Sequence, residues 1–260
     1  MSLQACAEIV QRGDPDRFLA TMAAPVAARR VLFPIYAANV EIARAPWASE
    51  EPIIAEMRLQ WWWDALDEIA TGRAVRSHEV TTPLAEVLPA EGAVVLQRTV
   101  DARRREAHRG GLADVGSLAT YLDDTSGALM WAATRALDPS LASEARIAAA
   151  EARAFAVGRA QGLANYALAV PGYLARGFNP LPEMSDRAFV GMIDAALAAP
   201  AWVSPKKKPN PAQRIVELSA WRARRLLKRA RRDPAALPKG RLAEAPILRR
   251  AGLLWHSLRL

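Results

Sequence analysis

The sequence predicts an all-α protein built as one domain, and three observations point there. Hydrophobic residues fill 52% of its 260 positions, with Ala, Leu and Arg abundant and Val/Ile/Thr alternation scarce, a composition that favours helices over strands. Residues such as Leu32, Tyr36, Asn39 and Ala43 recur at i, i+4, i+7 and i+11, so they share one helical face. Proline, glycine and capping residues divide the chain into segments of helical length. A chain of 260 residues suffices for one domain with a substantial core.

Taken in order, residues 2–12 form a short helix that Gly13 ends, and Asp14-Pro15-Asp16 caps the next one with proline near its first position. After Pro25 a longer helix carries the face just named. Pro34 is expected to kink it, and Ala45-Pro46 to stop it, because the residue before proline disfavours the α region. Ser49 is the expected N-cap of the following helix, with Glu50 and Glu51 in its positive first turn and Gly72 at its end. Within it Trp61, Trp62 and Trp63 sweep about 200° of helix surface, so they cannot all face one core. Either two layers cross there or one ring contacts a ligand or partner.

Shorter helices follow at Pro83–Leu88 and Gly92–His108, then one over Val115–Leu137. The run Asp101 to Glu106 pairs charges at i, i+3 and i+4 and reads as a solvated face. Asp123 and Asp124 are adjacent, about 100° apart on a helix with no third carboxylate one turn on, so they read as structural rather than metal-binding. Leu141–Val170 is the longest helical pattern. Its later part places Leu163, Tyr166, Ala167 and Val170 on a buried stripe and Gln161, Asn165 and Ala169 on the neighbouring face. Pro171 and Gly172 are expected to end or kink it. Ser185–Ala199 is another helix, and 201–212, with three prolines and a lysine triplet, reads as a linker.

Beyond the linker Ile215, Leu218, Trp221 and Leu226 lie near one face among many arginines, a basic amphipathic helix. A last helix over Leu242–Leu258 is apolar along Leu248, Leu254, Trp255 and Leu258. Of the 35 Lys+Arg and 27 Asp+Glu, 16 and three fall in residues 206–260, giving +13 there, against 19 and 24, or −5, in the rest. A basic tail on a mildly acidic body calls for a polyanionic partner, an anionic membrane surface or nucleic acid. Nucleic acid is set aside because Trp221 is alone among the basic helix residues, without interleaved aromatics for base stacking. The membrane contact is expected through Arg222, Arg225, Lys228, Arg229 and Arg232, with the Trp221 face dipping into the interface.

One cysteine, Cys6, allows no internal disulfide, and His78, His108 and His256 lack zinc-ligand spacing. The first residues carry Glu8, Asp14 and Asp16 and resemble neither a signal nor a transit peptide. No apolar run reaches the roughly 20 residues of a membrane span. Together these lead to an expected cytoplasmic location, peripheral on the inner face of the membrane.

Several pieces, in order, resemble the squalene/phytoene synthase family. Ala28-Arg29-Arg30 with Phe33 to Ala37 is similar to its Arg-Arg-x-x-x-x-x-Tyr-Ala entry. Arg58-Leu59 through Trp61, Trp62, Asp64 and Leu66 resembles its Leu-x-Trp-Trp-x-Asp-x-Leu segment. Tyr121 with Thr125 to Gly127 resembles its Tyr-x-x-x-Thr/Val-Ala-Gly helix, and Leu163 and Asn165 through Arg176-Gly177 to Leu181-Pro182 its second aspartate-rich block. The resemblance, over about Asp14–Ala199, implies a single-domain isoprenoid synthase fold, a helical bundle around a central cavity. It divides the chain into a synthase-like domain (1–200), the linker (201–212) and basic C-terminal helices packed on the same domain (213–260).

That family ionises prenyl diphosphates with Mg²⁺ held by two aspartate-rich helices. On alignment its aspartate positions fall on Ala43, Arg44 and Trp47 in the first motif and on Ala169 and Tyr173 in the second, none an acid. Glu41, about 200° round the helix from Ala43, points elsewhere. The resemblance therefore implies no metal, no cofactor and no catalytic residue here, and extends to a non-catalytic branch, the mitochondrial complex I assembly factor type, through Asn39 to Ala43, Met57 to Gln60, Gln161-Gly162 and Pro171. A protein partner in complex I assembly and a lipid or isoprenoid-like ligand are what it implies. Phe18, Tyr36, Asn39, Trp62, Tyr121, Gln161 and Asn165 are the expected lining of the cavity. The alternative is an active prenyl-diphosphate transferase of squalene or phytoene biosynthesis that requires Mg²⁺.

Overall fold

In the computed structural model, residues 3–179, 186–199, 201, 209–242 and 244–258 are described, and all regular structure among them is helical. The helices are α1 (Leu3–Gly13), α2 (Pro15–Ala23), α3 (Val26–Arg44), α4 (Pro52–Ala70), α5 (Thr81–Ala85), α6 (Ala90–Ala107), α7 (Val115–Leu122), α8 (Ala128–Leu137), α9 (Glu144–Leu174), α10 (Asp186–Ala198), α11 (Pro211–Glu217), α12 (Ala223–Arg232) and α13 (Pro246–Ser257). The all-α expectation holds, and the departures from it are local. Leu181-Pro182 and most of the expected linker lie outside the described residues.

Two helices form the axis of the bundle. On α3 an unbroken run from Leu32 to Ala38 is buried, which places that helix at the centre of the core. Pro34 stays inside it, buried among these neighbours. On α9, Ala154, Val157, Ala160, Leu163, Ala164, Ala167 and Val170 face inward, and its small side chains let it approach closely. A Cβ on Gly158 would lie 2.6 Å from the Ser126 carbonyl oxygen and 2.7 Å from Gly127 Cα, so here the helix meets backbone with nothing between.

That contact faces a turn of π-helix, Asp123–Gly127, which interrupts what the sequence reads as one helix over 115–137. Thr99 donates to the Asp124 carbonyl (2.9 Å) and Thr125 to that of Tyr121 (2.6 Å), taking up carbonyls displaced from the α pattern. Asp123 pairs with Arg159 of α9 (2.7 Å) and Asp124 with Arg98 of α6 (3.0 Å), so the adjacent acids clamp the turn between two helices.

Other boundaries differ from expectation too: α9 starts at Glu144 rather than Leu141, and α13 at Pro246 rather than Leu242. Helix α4 starts at Pro52 behind Glu51, with Ser49 Oγ accepting only from the Glu51 amide (3.1 Å). Helix α5 is one short turn, shifted from 83–88 to Thr81–Ala85. Helix α9 continues through Pro171 to Leu174, and Gly177 supplies the stop. The Phe178 amide donates to the Tyr173 carbonyl and the Gly177 amide to that of Leu174, both at 3.0 Å, with Gly177 at φ +71°. This is the helix ending that a left-handed glycine provides, and the Tyr173 and Phe178 rings pack together across it (5.6 Å). The basic amphipathic helix is broken by a 3₁₀ turn at Leu218–Ala220 into α11 and α12.

The three tryptophans serve a packed crossing. Trp62 is buried, Trp61 meets it edge-on at 5.0 Å, and both rings contact His78 on the segment that follows α4. Arg76 lies over Trp61 (5.1 Å) and donates to Glu68 (2.6 Å), fastening that segment to α4.

Candidate functional site

A cavity of about 330 Å³ opens between the α1–α2 junction, α3, α6, the α7–π turn and α9. Each wall follows from a local pattern. Asp14 caps α2, its carboxylate accepting from the Arg17 amide (3.0 Å) and pairing with the Arg17 guanidinium, which holds both at the rim. Asn39, Ala43 and Arg44 come from α3, and Asn165, Ala169 and Tyr173 from α9 at four-residue spacing. Tyr121 and Thr125 close the floor from α7 and the turn after it.

Under the cavity lies a buried carboxylate. Glu106 of α6 accepts from Tyr121 Oη (2.6 Å), Trp47 Nε1 (3.0 Å) and Arg103 Nη1 (3.2 Å), and Arg103 itself lines the cavity. Burial pulls the Arg103 pKa down, but Tyr121 and Glu106 beside it outweigh that and leave it raised. Burial pushes the Tyr121 hydroxyl well above its ordinary range, so it remains a donor. Burial likewise raises Tyr166 and Tyr173. Around this hub the rings of Trp47, Tyr173 and Phe178 meet at 5.4–5.6 Å, with Arg109 over Trp47 at 4.3 Å. Of this cluster, Tyr173 lines the cavity.

Of the residues singled out in the sequence, Asn39, Ala43, Arg44, Tyr121, Asn165, Ala169 and Tyr173 come together on this one lining. Trp47 stands beside it, on Tyr173. Four others lie elsewhere, each with another partner. Phe18 stacks on Phe33 (5.8 Å), and Tyr36 is buried below Arg17, which lies 5.6 Å from its ring. Trp62 faces a separate recess of about 250 Å³ with His78. Gln161 is buried and donates to the Ser219 carbonyl (2.8 Å), tying α9 to the 3₁₀ turn before α12. Glu41 pairs with Arg44 (3.2 Å) and lines that separate recess too.

Arg17, on α2, and Arg103 and Glu106 are not among the expected lining residues, although α6 carries the signal of the last two. Leu96, Thr99, Val100, Arg103, Glu106 and Ala107 recur at helical spacing, and the last two continue the buried stripe. The charged run there is solvated only in part.

The expected membrane residues divide. Arg222 is buried, paired with Asp16 and with Glu244 (2.9 Å), so it cannot reach a surface. Trp221 packs with Ala20, Leu218 and Leu253 and is equally unavailable. Arg225 pairs with Glu244, and Arg229 donates to the Arg241 carbonyl (2.8 Å); Lys228 and Arg232 are exposed.

The donor set decides what the cavity can hold. Arg17, Arg44, Arg103, Asn39 and Asn165 line it with one acid, Asp14, and each arginine is paired with a carboxylate, Arg17 with Asp14, Arg44 with Glu41 and Arg103 with Glu106. Mg²⁺ requires a near-octahedral shell of oxygens, including carboxylates. Among the described residues no group of three His, Cys, Asp or Glu is placed to hold a metal ion. The lining does not fit Mg²⁺.

Residues 10–253 match the squalene/phytoene synthase family. Curated relatives include the Drosophila melanogaster NADH dehydrogenase (ubiquinone) complex I, assembly factor 6 homolog, 31% identical over 132 residues, covering 48% of this chain and 39% of the relative. The Mus musculus assembly factor 6 is 23% identical over 183 residues, covering 66% and 50%. The chain thus spans about two fifths to one half of the length of these relatives. The fold is that of a crystallised dehydrosqualene synthase in complex with ligand, with a TM-score of 0.72 at 13% identity over 99% of this chain and 95% of that one.

Proposed function

The chain belongs to the squalene/phytoene synthase family, and we propose that it has lost both aspartate-rich motifs and works as a non-catalytic binding or assembly factor of the respiratory complex I type. The observation that carries this reading is a cavity lining in which Ala43, Ala169 and Tyr173 offer no carboxylate and the one acid, Asp14, is engaged by Arg17. A diphosphate bound here would share the guanidiniums of Arg17, Arg44 and Arg103 with Asp14, Glu41 and Glu106. No bridging cation would be at hand to neutralise the leaving group as ionisation of a prenyl diphosphate demands. Arg44 keeps a permanent positive charge on the α3 side of the lining.

The ligand class is a lipid or isoprenoid-like molecule with an anionic head, seated on the arginines and amides, its apolar part against Tyr166, Val40 and Leu122. The names of the curated relatives support a protein partner in complex I assembly, the names of the solved neighbours only the fold. No described helix is long and apolar enough to cross a membrane, and the basic C-terminal region supports peripheral binding at the cytoplasmic side of an anionic membrane.

Incubation with farnesyl or geranylgeranyl diphosphate and Mg²⁺ tests the non-catalytic reading. The expected result is no release of diphosphate above the protein-free rate; release that EDTA abolishes would establish the transferase instead.

A further inference from the structure

Helix α13 is amphipathic in an unusual sense, because its apolar side faces away from the protein. At about 100° per residue, Ile247, Leu248, Ala251, Leu254, Trp255 and Leu258 fall within an arc of about 120°. The described members of that arc are open to solvent: Ile247 is 75% exposed, Leu254 62%, Trp255 58% and Leu258 76%. The opposite side holds the helix to the bundle. Leu253 enters the cluster of Ala20, Leu218 and Trp221, Arg249 pairs with Asp16 (2.5 Å), and a Cβ on Gly252 would lie 3.0 Å from Trp221. The helix is thus anchored from behind with its apolar face outward.

We propose that α13 lies in the plane of an anionic bilayer surface with this face among the lipids. The inference deepens the membrane part of the proposed function and rests on it. It moves the contact from Arg222 and Trp221 of the neighbouring segment to α13. The observation that selects a bilayer is the charge around the face. Lys228 and Arg232 are exposed on the same stripe of α12 as Arg225, which borders α13 at Gly252 and pairs with Glu244, and Arg250 is exposed at the edge of the apolar arc. Residues 206–260 carry +13 in sequence, 16 basic against three acidic. A second copy of the chain would bring the same positive rim against itself, whereas anionic head groups complement it. One helical face is also small beside the roughly 800 Å² per partner of a stable protein interface.

Flotation of the full chain with vesicles tests this. Wild type is expected to float with vesicles of phosphatidylcholine containing phosphatidylglycerol, and to lose binding in high salt or on phosphatidylcholine alone. The pair Ile247→Asp and Leu254→Asp alters only exposed positions; with an unchanged circular dichroism spectrum and melt, it is expected to weaken partitioning by more than roughly tenfold. Quenching by brominated lipid is expected to drop on Trp255→Phe. If the double variant floats like wild type, the assignment to α13 is overturned and the membrane reading stands. If wild type does not float on the anionic vesicles, both fall and the cavity reading is untouched. A wild-type dimer that the double variant dissociates, with vesicle binding unchanged, would assign the face to a second copy and overturn the proposal.

Discussion

Glu106 accepts hydrogen bonds from Tyr121, Trp47 and Arg103, side chains that come from three different elements. A buried carboxylate so engaged fixes the floor of the cavity, and a hydrogen bond to a charged group contributes about 1.5–3 kcal/mol. Tyr121→Phe removes the shortest of the three and is expected to destabilise by about that amount, read from the midpoint of urea unfolding at constant slope. Gly158 is sensitive for a different reason. Its neighbour is the Ser126 carbonyl, backbone that cannot swing aside, so Gly158→Ala is expected to cost about 1–3 kcal/mol by overpacking. Gly172, where a Cβ meets nothing within 4 Å, provides the control: Gly172→Ala leaves the midpoint the same or higher.

At the scale of elements, the periodic patterns located nearly every helix, while their ends and inward polar residues were harder to read. Pro171 looked like a stop because proline lacks an amide donor, yet near the end of α9 only one intrahelical bond is forfeited. Gly177, three residues beyond the last helical residue Leu174, ends the helix by its left-handed conformation. The π turn left no signature in periodicity, since it arises from contacts with Arg98, Thr99 and Arg159 that are distant in sequence. Arg103 and Glu106 were legible in principle from the stripe on α6, but charge masked them. The C-terminal helices hang on an ionic network of Asp16, Arg222, Glu244, Arg225 and Arg249. Burial works to raise the Glu244 pKa, but hydrogen bonds and charge from Arg225 and Arg222 prevail and lower it below its ordinary 4.5. A carboxylate lowered on folding contributes stability that is present above its unfolded pKa and lost as pH falls through the folded one. Below about pH 4.5, Glu244→Gln is expected to show a smaller further loss of stability with acid than wild type, measured by thermal melts across pH 3–7; parallel profiles would contradict the network.

Across the whole molecule, the fold is that of the solved synthase, while the lining of the cavity holds one acid, Asp14, beside Arg17, Arg44 and Arg103. Ala43, Arg44, Ala169 and Tyr173 converge on it because α3 and α9 face each other across the cavity, a convergence that the family resemblance implied. Which other side chains join them was set by packing: Gln161 and Tyr36 were drawn into hydrogen bonding and the core, and Arg17 and Arg103 took their place. Titration of inorganic pyrophosphate into the full chain, with Mg²⁺ and with EDTA, tests metal-free recognition by arginine most directly. Binding is expected to persist in EDTA and to weaken by about tenfold or more in Arg44→Ala, the loss of one charge-assisted contact; binding that appears only with Mg²⁺, or that Arg44→Ala leaves unchanged, would contradict such recognition.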